Sequence, residues 1–208
     1  MITITEILEC ERHLQEIDAV IFDLDDTLYS EKDYVRSGYR AVARVFTQVT
    51  DMEQRLWDAF QNGLQAIDAV LEQEGILTPE YKEKALQTYR RHLPEVEVYP
   101  GVHQLLLRLG KSKRLGLITD GRPEGQRAKL QALAIENLFD EIIVTDELGG
   151  PVCRKPNEAA FRLMQQAMGV PFEKMVYVGD NAKKDFIAPE KLGMQTIWFR
   201  NRDGLYTG

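Results

Sequence analysis

Residues 19–30, AVIFDLDDTLYS, set a run of apolar, largely β-branched residues directly against three carboxylates within four positions, Asp23, Asp25 and Asp26. A short run of that composition reads as a buried strand. Its two-residue period sends Asp23 and Asp25 to one side and Asp26 to the other. A strand that ends in acids is either an acidic turn or the working end of a metal and phosphate site, and the rest of the chain decides between them.

Similar runs recur at 114–119 (RLGLIT), 141–145 (EIIVT), 175–179 (MVYVG) and 195–199 (QTIWF). Helical patterns lie between the later ones, at 124–135, 156–169 and 182–193, with Pro156 as a first-turn proline and Gly169 and Gly193 as helix stops. Strand and helix alternating in this way predict right-handed crossovers and a parallel α/β sheet, Rossmann-like, with helices on both faces.

From about Glu31 to His92 the strand signal disappears. Apolar residues return at helical spacing instead: Tyr34, Val35, Tyr39, Val42, Val45 and Phe46, then Leu56, Trp57, Phe60, Leu64, Ile67 and Leu71. The spacing predicts an inserted α-helical lobe over 30–94, with 1–29 and 95–208 forming the α/β core domain. LTPE (77–80) supplies a turn inside the insert, and YPG (99–101) marks the return to the core before a helix at VHQLLLRLG. TEILECERHL (5–14) reads as a short amphipathic helix covering a sheet edge or the base of the domain.

The chain has 208 residues, 44% of them hydrophobic, enough to bury a full core. Its net charge of −7 argues against a nucleic-acid partner. Two cysteines far apart, Cys10 and Cys153, read as packing residues in a reducing cytoplasm. The N-terminal segment lacks the pattern of a signal peptide, and no stretch approaches a membrane span.

In a parallel sheet of this kind ligands collect at the carboxyl ends of the strands. Those ends carry Asp23 and Asp25, then Thr119 and Asp120, then Gly179, Asp180 and Asn181, while Arg154 to Pro156 lead into a helix. Converging carboxylates repel one another unless a cation lies among them. Oxygen ligands without histidine or cysteine point to a hard ion, Mg²⁺. Lys155 and the Thr119 hydroxyl add a charge and a donor suited to a phosphate dianion.

Four segments, DLDDT (23–27), ITDG (118–121), KP (155–156) and GDNAKKD (179–185), resemble in order the four motifs of the haloacid dehalogenase-like superfamily. The insert is similar to that superfamily's type 1 cap. The resemblance implies that Asp23 is the nucleophile, forming an aspartyl-phosphate. It makes Asp25 the general acid and base, with a raised pKa. Thr119 with the backbone N–H groups of Asp120 and Gly121 holds phosphoryl oxygens, and Lys155 neutralises charge. Mg²⁺ would be held by Asp23, the Asp25 carbonyl and Asp180, with Asp185 supporting them. An acid at position 25 separates phosphatases from dehalogenases, and Thr27 separates them from the sugar-phosphate mutases.

The implied function is a Mg²⁺-dependent phosphatase acting on a small phosphorylated metabolite, a sugar phosphate or nucleotide, with the cap closing over the rim to choose it. A phosphomutase and a catalytically silent binding protein are the alternatives. Asp26 reads as a solvated turn acid. Tyr29 is open between hinge packing and substrate contact. His13, His92 and His103 read as structural, and Trp57, Tyr34, Tyr39 and Phe60 as cap core. Arg36, Arg40 and Arg44 form a stripe that reads as a solvated face, or as one that meets an anionic substrate.

Overall fold

The computed structural model describes residues 1–205 of the chain. It separates into two compact units, one formed by residues 1–31 with those from Glu97 onward, the other by Lys32–Val96. In the first unit the described residues build one six-stranded sheet from β1 (Ile2–Ile4), β2 (Ala19–Phe22), β3 (Arg114–Thr119), β4 (Glu141–Val144), β5 (Met175–Gly179) and β6 (Gln195–Phe199). The order is β1-β6-β5-β2-β3-β4 and every pairing is parallel.

β2 and β5 are buried along their whole length, which is why both read as unbroken apolar runs. Ala19 and Ile21 of β2 join Ile118, Met175 and Tyr177 in a cluster with Ala160, Phe161, Met164 and Met168 from α7 (Ala159–Met168). The intervening Val20 and Phe22, also buried, point to the opposite face. The helices α5 (Val102–Leu109), α6 (Pro123–Leu133) and α8 (Ile187–Leu192) complete the layers, α5 packing on β3 and α8 on β6. β2 neighbours β3 on one side and β5 on the other, so the chain changes direction across the sheet beside β2. That topological switch is where a parallel sheet opens a crevice.

The structure corrects the N-terminal reading. Ile2–Ile4 are a strand, pairing Ile2 with Ile197 and Ile4 with Phe199, and the short helix expected here follows it as a 3₁₀ helix, Ile7–His13. The sheet edge beside β6 is therefore covered by another strand. Pro156 is likewise not a first-turn proline. It follows a cis peptide bond, and α7 starts at Ala159, whose N–H is met by the Asn157 side chain at 2.8 Å. The segment from 182 is a turn before it is a helix: Lys184 and Asp185 donate to the Asn181 carbonyl, and α8 begins only at Ile187. Gly169 and Gly193 do stop their helices, both in the left-handed region.

The second unit contains most of α1 (Glu31–Val45) with α2 (Met52–Gln61), α3 (Ala66–Gln73) and α4 (Pro79–Arg91). Thr78 accepts the Tyr81 N–H and Pro79 opens α4, so LTPE is a capped helix start. Val35, Tyr39, Val42, Phe46, Leu56, Trp57, Ile67 and Leu71 form its core, while Val45 and Leu64 are exposed. The arginine stripe is occupied within this unit. Arg36 lies over the Trp57 ring, Arg40 pairs with Glu53 and Glu95, and Arg44 pairs with Glu95. His92 is buried beside Tyr34 and Tyr89.

Candidate active site

The loop after β2 carries Asp23, Asp25 and Asp26. Asp23 is buried and accepts a 2.6 Å bond from the Lys155 ammonium. Lys155 also meets Asp185 at 2.8 Å and donates to the Tyr177 hydroxyl at 2.8 Å. Tyr177 stands on β5 opposite Ile21 of β2, and its hydroxyl together with Asp23 fixes the lysine head at the ends of these two strands. Burial pulls the Lys155 pKa down, but Asp185 and Asp23 outweigh it and hold the ammonium well above its ordinary range.

Asp180 follows β5, and Asp185 folds back through the 181–185 turn to accept the Asn181 N–H at 2.9 Å. Gly179 permits that return, since a Cβ there would stand 2.6 Å from Asp185 Oδ2. Carboxylate oxygens of Asp23, Asp180 and Asp185 all lie within 4.8 Å of one another, and all three residues are buried. Burial raises Asp23 to about 7 against the pull of Lys155, with Asp185 adding to the rise. Burial, then Asp23 and Asp185, raise Asp180 to about 9. Lys155, with Lys184 acting from farther off and paired to Asp120, leaves this cluster of three carboxylates short of positive charge. Its all-oxygen donor set, closely spaced and buried, fits a hard divalent cation.

Asp120 does more than the backbone role expected of it. Its carboxylate accepts from the Thr145 hydroxyl at 2.9 Å, the Lys155 N–H at 3.0 Å and the Lys184 ammonium at 2.8 Å, tying together three loops. Burial raises its pKa, but Lys155 and Lys184 prevail and hold it low. Gly121 sits at φ +143°, and a Cβ there would lie 3.2 Å from Gln126. Thr119 is fully buried, its hydroxyl bonded by the Gln126 amide.

Asp25 departs from expectation. Lys129 donates to its Oδ1 at 2.7 Å, the Tyr29 hydroxyl donates to the same oxygen, and Gln126 donates to Oδ2 at 2.9 Å. Burial pushes this carboxyl up, but Lys129, then Tyr29 and Gln126, hold it below the ordinary value. The raised pKa expected of it is thus corrected: buried donors stabilise its ionised form. Its side chain also stands outside the three-carboxylate cluster. Tyr29 is engaged with Asp25 rather than simply packed.

Asp26 is corrected as well. It is fully buried, not solvated, and it adopts φ +53°. It accepts the Glu31 N–H at 2.9 Å and the Leu205 N–H at 2.6 Å, while Asn201 donates to its carbonyl. The acid is an internal anchor for the chain beyond β6.

A cavity of about 370 Å³ is lined by Asp23, Asp25, Glu31, Asp120 and Asp180, and by Arg154, Lys155 and Lys184. Sequence reasoning passed over Tyr177, Lys184, Glu31, Gln126 and Lys129. Lys184 lies inside GDNAKKD (179–185), whereas Gln126 and Lys129 have the spacing of ordinary helix residues.

The chain is 32% identical to a glyceraldehyde 3-phosphate phosphatase of Methanopyrus kandleri, over 91% of this chain and 86% of that one. It is 28% identical to the protein of the same name in Methanocaldococcus jannaschii, over 87% and 84% of the two chains. A solved HAD-superfamily hydrolase, subfamily IA, variant 1, from Geobacter sulfurreducens shares the fold with a TM-score of 0.67 at 17% identity, covering 90% of this chain and 89% of that one. Residues 20–199 match the haloacid dehalogenase-like hydrolase family, and the chain belongs to it.

Proposed function

We propose that the protein is a phosphatase that hydrolyses a small phosphomonoester, a short phosphorylated sugar or aldehyde, through an aspartyl-phosphate. The observation that carries this reading is the buried group of Asp23, Asp180 and Asp185 gathered around the Lys155 ammonium, with the Asp25 carboxylate lining the same cavity. The names of the Methanopyrus and Methanocaldococcus relatives favour glyceraldehyde 3-phosphate among candidate substrates.

In the first step an Asp23 carboxylate oxygen bonds to phosphorus while the ester P–O bond breaks. Asp25, ionised in the free protein, takes up a proton when the phosphate dianion binds beside it, and gives that proton to the departing oxygen, which leaves as an alcohol. In the second step a water oxygen bonds to phosphorus and yields its proton to Asp25. The acyl phosphate P–O bond breaks, returning the Asp23 carboxylate and inorganic phosphate. Lys129, Tyr29 and Gln126 hold Asp25 as a carboxylate, the form that accepts this proton. Lys155 offsets charge between Asp23 and the phosphoryl group, and the Thr119 hydroxyl with the N–H groups of Asp120 and Gly121 orients the phosphoryl oxygens.

Mg²⁺ would be held by Asp23, Asp180 and the Asp25 carbonyl, with Asp185 behind them, and when bound it neutralises the phosphate so that an anionic nucleophile can approach. Cys10 and Cys153, both free thiols, accord with a reducing cytoplasm. No helix among the described residues is long and apolar enough to cross a membrane. The Lys32–Val96 unit is the proposed selector of substrate.

The test is p-nitrophenyl phosphate turnover with and without EDTA, followed by a screen of phosphorylated sugars, aldehydes and nucleotides read by released phosphate. Turnover should require metal and vanish in Asp23→Asn. Metal-independent turnover in that variant would refute the mechanism, and isomerised product without phosphate release would point to a mutase.

A further inference from the structure

Helix α6 presents Gln126 and Lys129 three residues apart, hence on one face. Both are buried, at 3% and 5% exposure, and both direct their donors at the Asp25 carboxylate. Tyr29, at 0% exposure, adds its hydroxyl from the loop after β2, and its ring lies 5.9 Å from the Lys129 ammonium. Three donors from two parts of the chain therefore converge on the two oxygens of one side chain. Asp25 itself lines the 370 Å³ cavity, whereas Gln126, Lys129 and Tyr29 do not. The carboxylate is gripped from behind and presented forward.

Burying an ammonium is costly unless its partner is well placed. Packing alone needs no lysine at this point of the helix. An acid that must meet one particular oxygen gains from being fixed, because small displacements of a reacting group lose a large part of the benefit of proximity. Gln126 extends the restraint, since the same amide that holds Asp25 also holds the Thr119 hydroxyl. The two groups expected to meet the ester are thus tied to each other.

We propose that Lys129, Gln126 and Tyr29 are positioning residues that clamp the Asp25 carboxyl in the orientation from which it exchanges a proton with the substrate. The proposal rests on the phosphatase reading and extends it to residues outside the four motifs. A positioning role of this kind has a signature that loss of packing does not. p-Nitrophenolate leaves as a stabilised anion and needs little help from an acid, whereas the alkoxide of glycerol 2-phosphate needs a proton.

The experiment compares kcat on both esters for the Mg²⁺-loaded wild type, Lys129→Met, Lys129→Arg and Tyr29→Phe. Since a positioned acid contributes about 10²–10⁴-fold, Lys129→Met should lose at least about tenfold more on glycerol 2-phosphate than on p-nitrophenyl phosphate. Lys129→Arg should recover part of that loss. In an Asp25→Asn background Lys129→Met should add no further loss on the alkyl ester, because the lysine acts through the acid. Equal losses on both esters, additive losses in that background, no loss, or faster turnover of the alkyl ester would each overturn the clamp. If Lys129→Met does not fold, Tyr29→Phe, which removes one hydroxyl, carries the same comparison. A wild type that hydrolyses neither ester fails the underlying reading instead, so the two failures are told apart.

Discussion

Asp25 and Asp26 are neighbours of identical chemistry with opposite tasks. What separates them is where their donors come from. Asp25 draws on side chains of α6 and Tyr29, while Asp26 draws on backbone N–H groups of Glu31 and Leu205. Buried N–H groups that lose an acceptor cost about 1–3 kcal/mol each. Asp26→Ala removes two acceptor contacts and leaves a non-glycine residue at positive φ, so it should destabilise by about 2–4 kcal/mol. Asp26→Asn keeps an acceptor oxygen and tolerates the left-handed backbone, so its loss should be smaller. Urea denaturation of the two variants checks the ranking, and equal stability of Asp26→Ala and wild type would show that the anchor carries nothing.

At the scale of elements, close approach to β5 shapes the site more than any single charge. β5 ends in Gly179, and the turn that follows brings Asp185 back against it. A methyl group 2.6 Å from Asp185 Oδ2 must displace backbone or carboxylate. Gly179→Ala should therefore weaken Mg²⁺ binding about tenfold or more, the scale seen when a residue supporting a metal ligand is lost. Calorimetric Mg²⁺ titration gives the answer, and unchanged affinity would mean that Asp185 has no part in holding the ion. The strands that β5 belongs to were legible because burial on both faces leaves an unbroken apolar code. β1 was not, because Ile2–Ile4 make three residues of pairing at an edge, too short for a two-residue period to stand out from the 3₁₀ turn behind it. Asp23, Thr119 and Asp180 stand out in the sequence because each lies at or next to a strand end, and Lys155 because it precedes a proline in a short polar loop ahead of a helix. Gln126 and Lys129 were hidden because a helix face turned toward a polar site has the same spacing as one turned toward solvent. Asp26 misled for a related reason: its acceptors serve Leu205, far along the chain, and no local pattern announces that partner.

For the molecule as a whole, the negative charge concentrated at the carboxyl ends of β2 and β5 ties stability to pH and to metal. Asp23 at about 7, Glu31 at about 8 and Asp180 at about 9 are raised chiefly by burial. A carboxyl whose pKa is raised on folding binds more protons folded than unfolded, so its contribution is full below the unfolded value near 4 and is lost as pH rises through the folded value. Asp25 and Asp120 are lowered, and their gain is complete once pH exceeds the ordinary carboxylate range. Lys155, raised, holds its contribution up to the ordinary lysine range. Between about pH 5 and 9 the raised carboxyls therefore govern the slope. In EDTA the Tm should fall across that window by at least several degrees, since each kcal/mol is worth about 2–4 °C in a domain of this size. Mg²⁺ takes the place of the protons, so the Tm gained at saturating Mg²⁺ should grow with pH over the same range. Asp180→Asn removes a buried charge and a ligand together. It should flatten the pH slope in EDTA and shrink the Mg²⁺ gain in one step. Thermal melts from pH 5 to 9, with EDTA and with Mg²⁺, test both halves. A metal-free Tm independent of pH would mean that the carboxylates are already balanced within the protein and that no cation is called for.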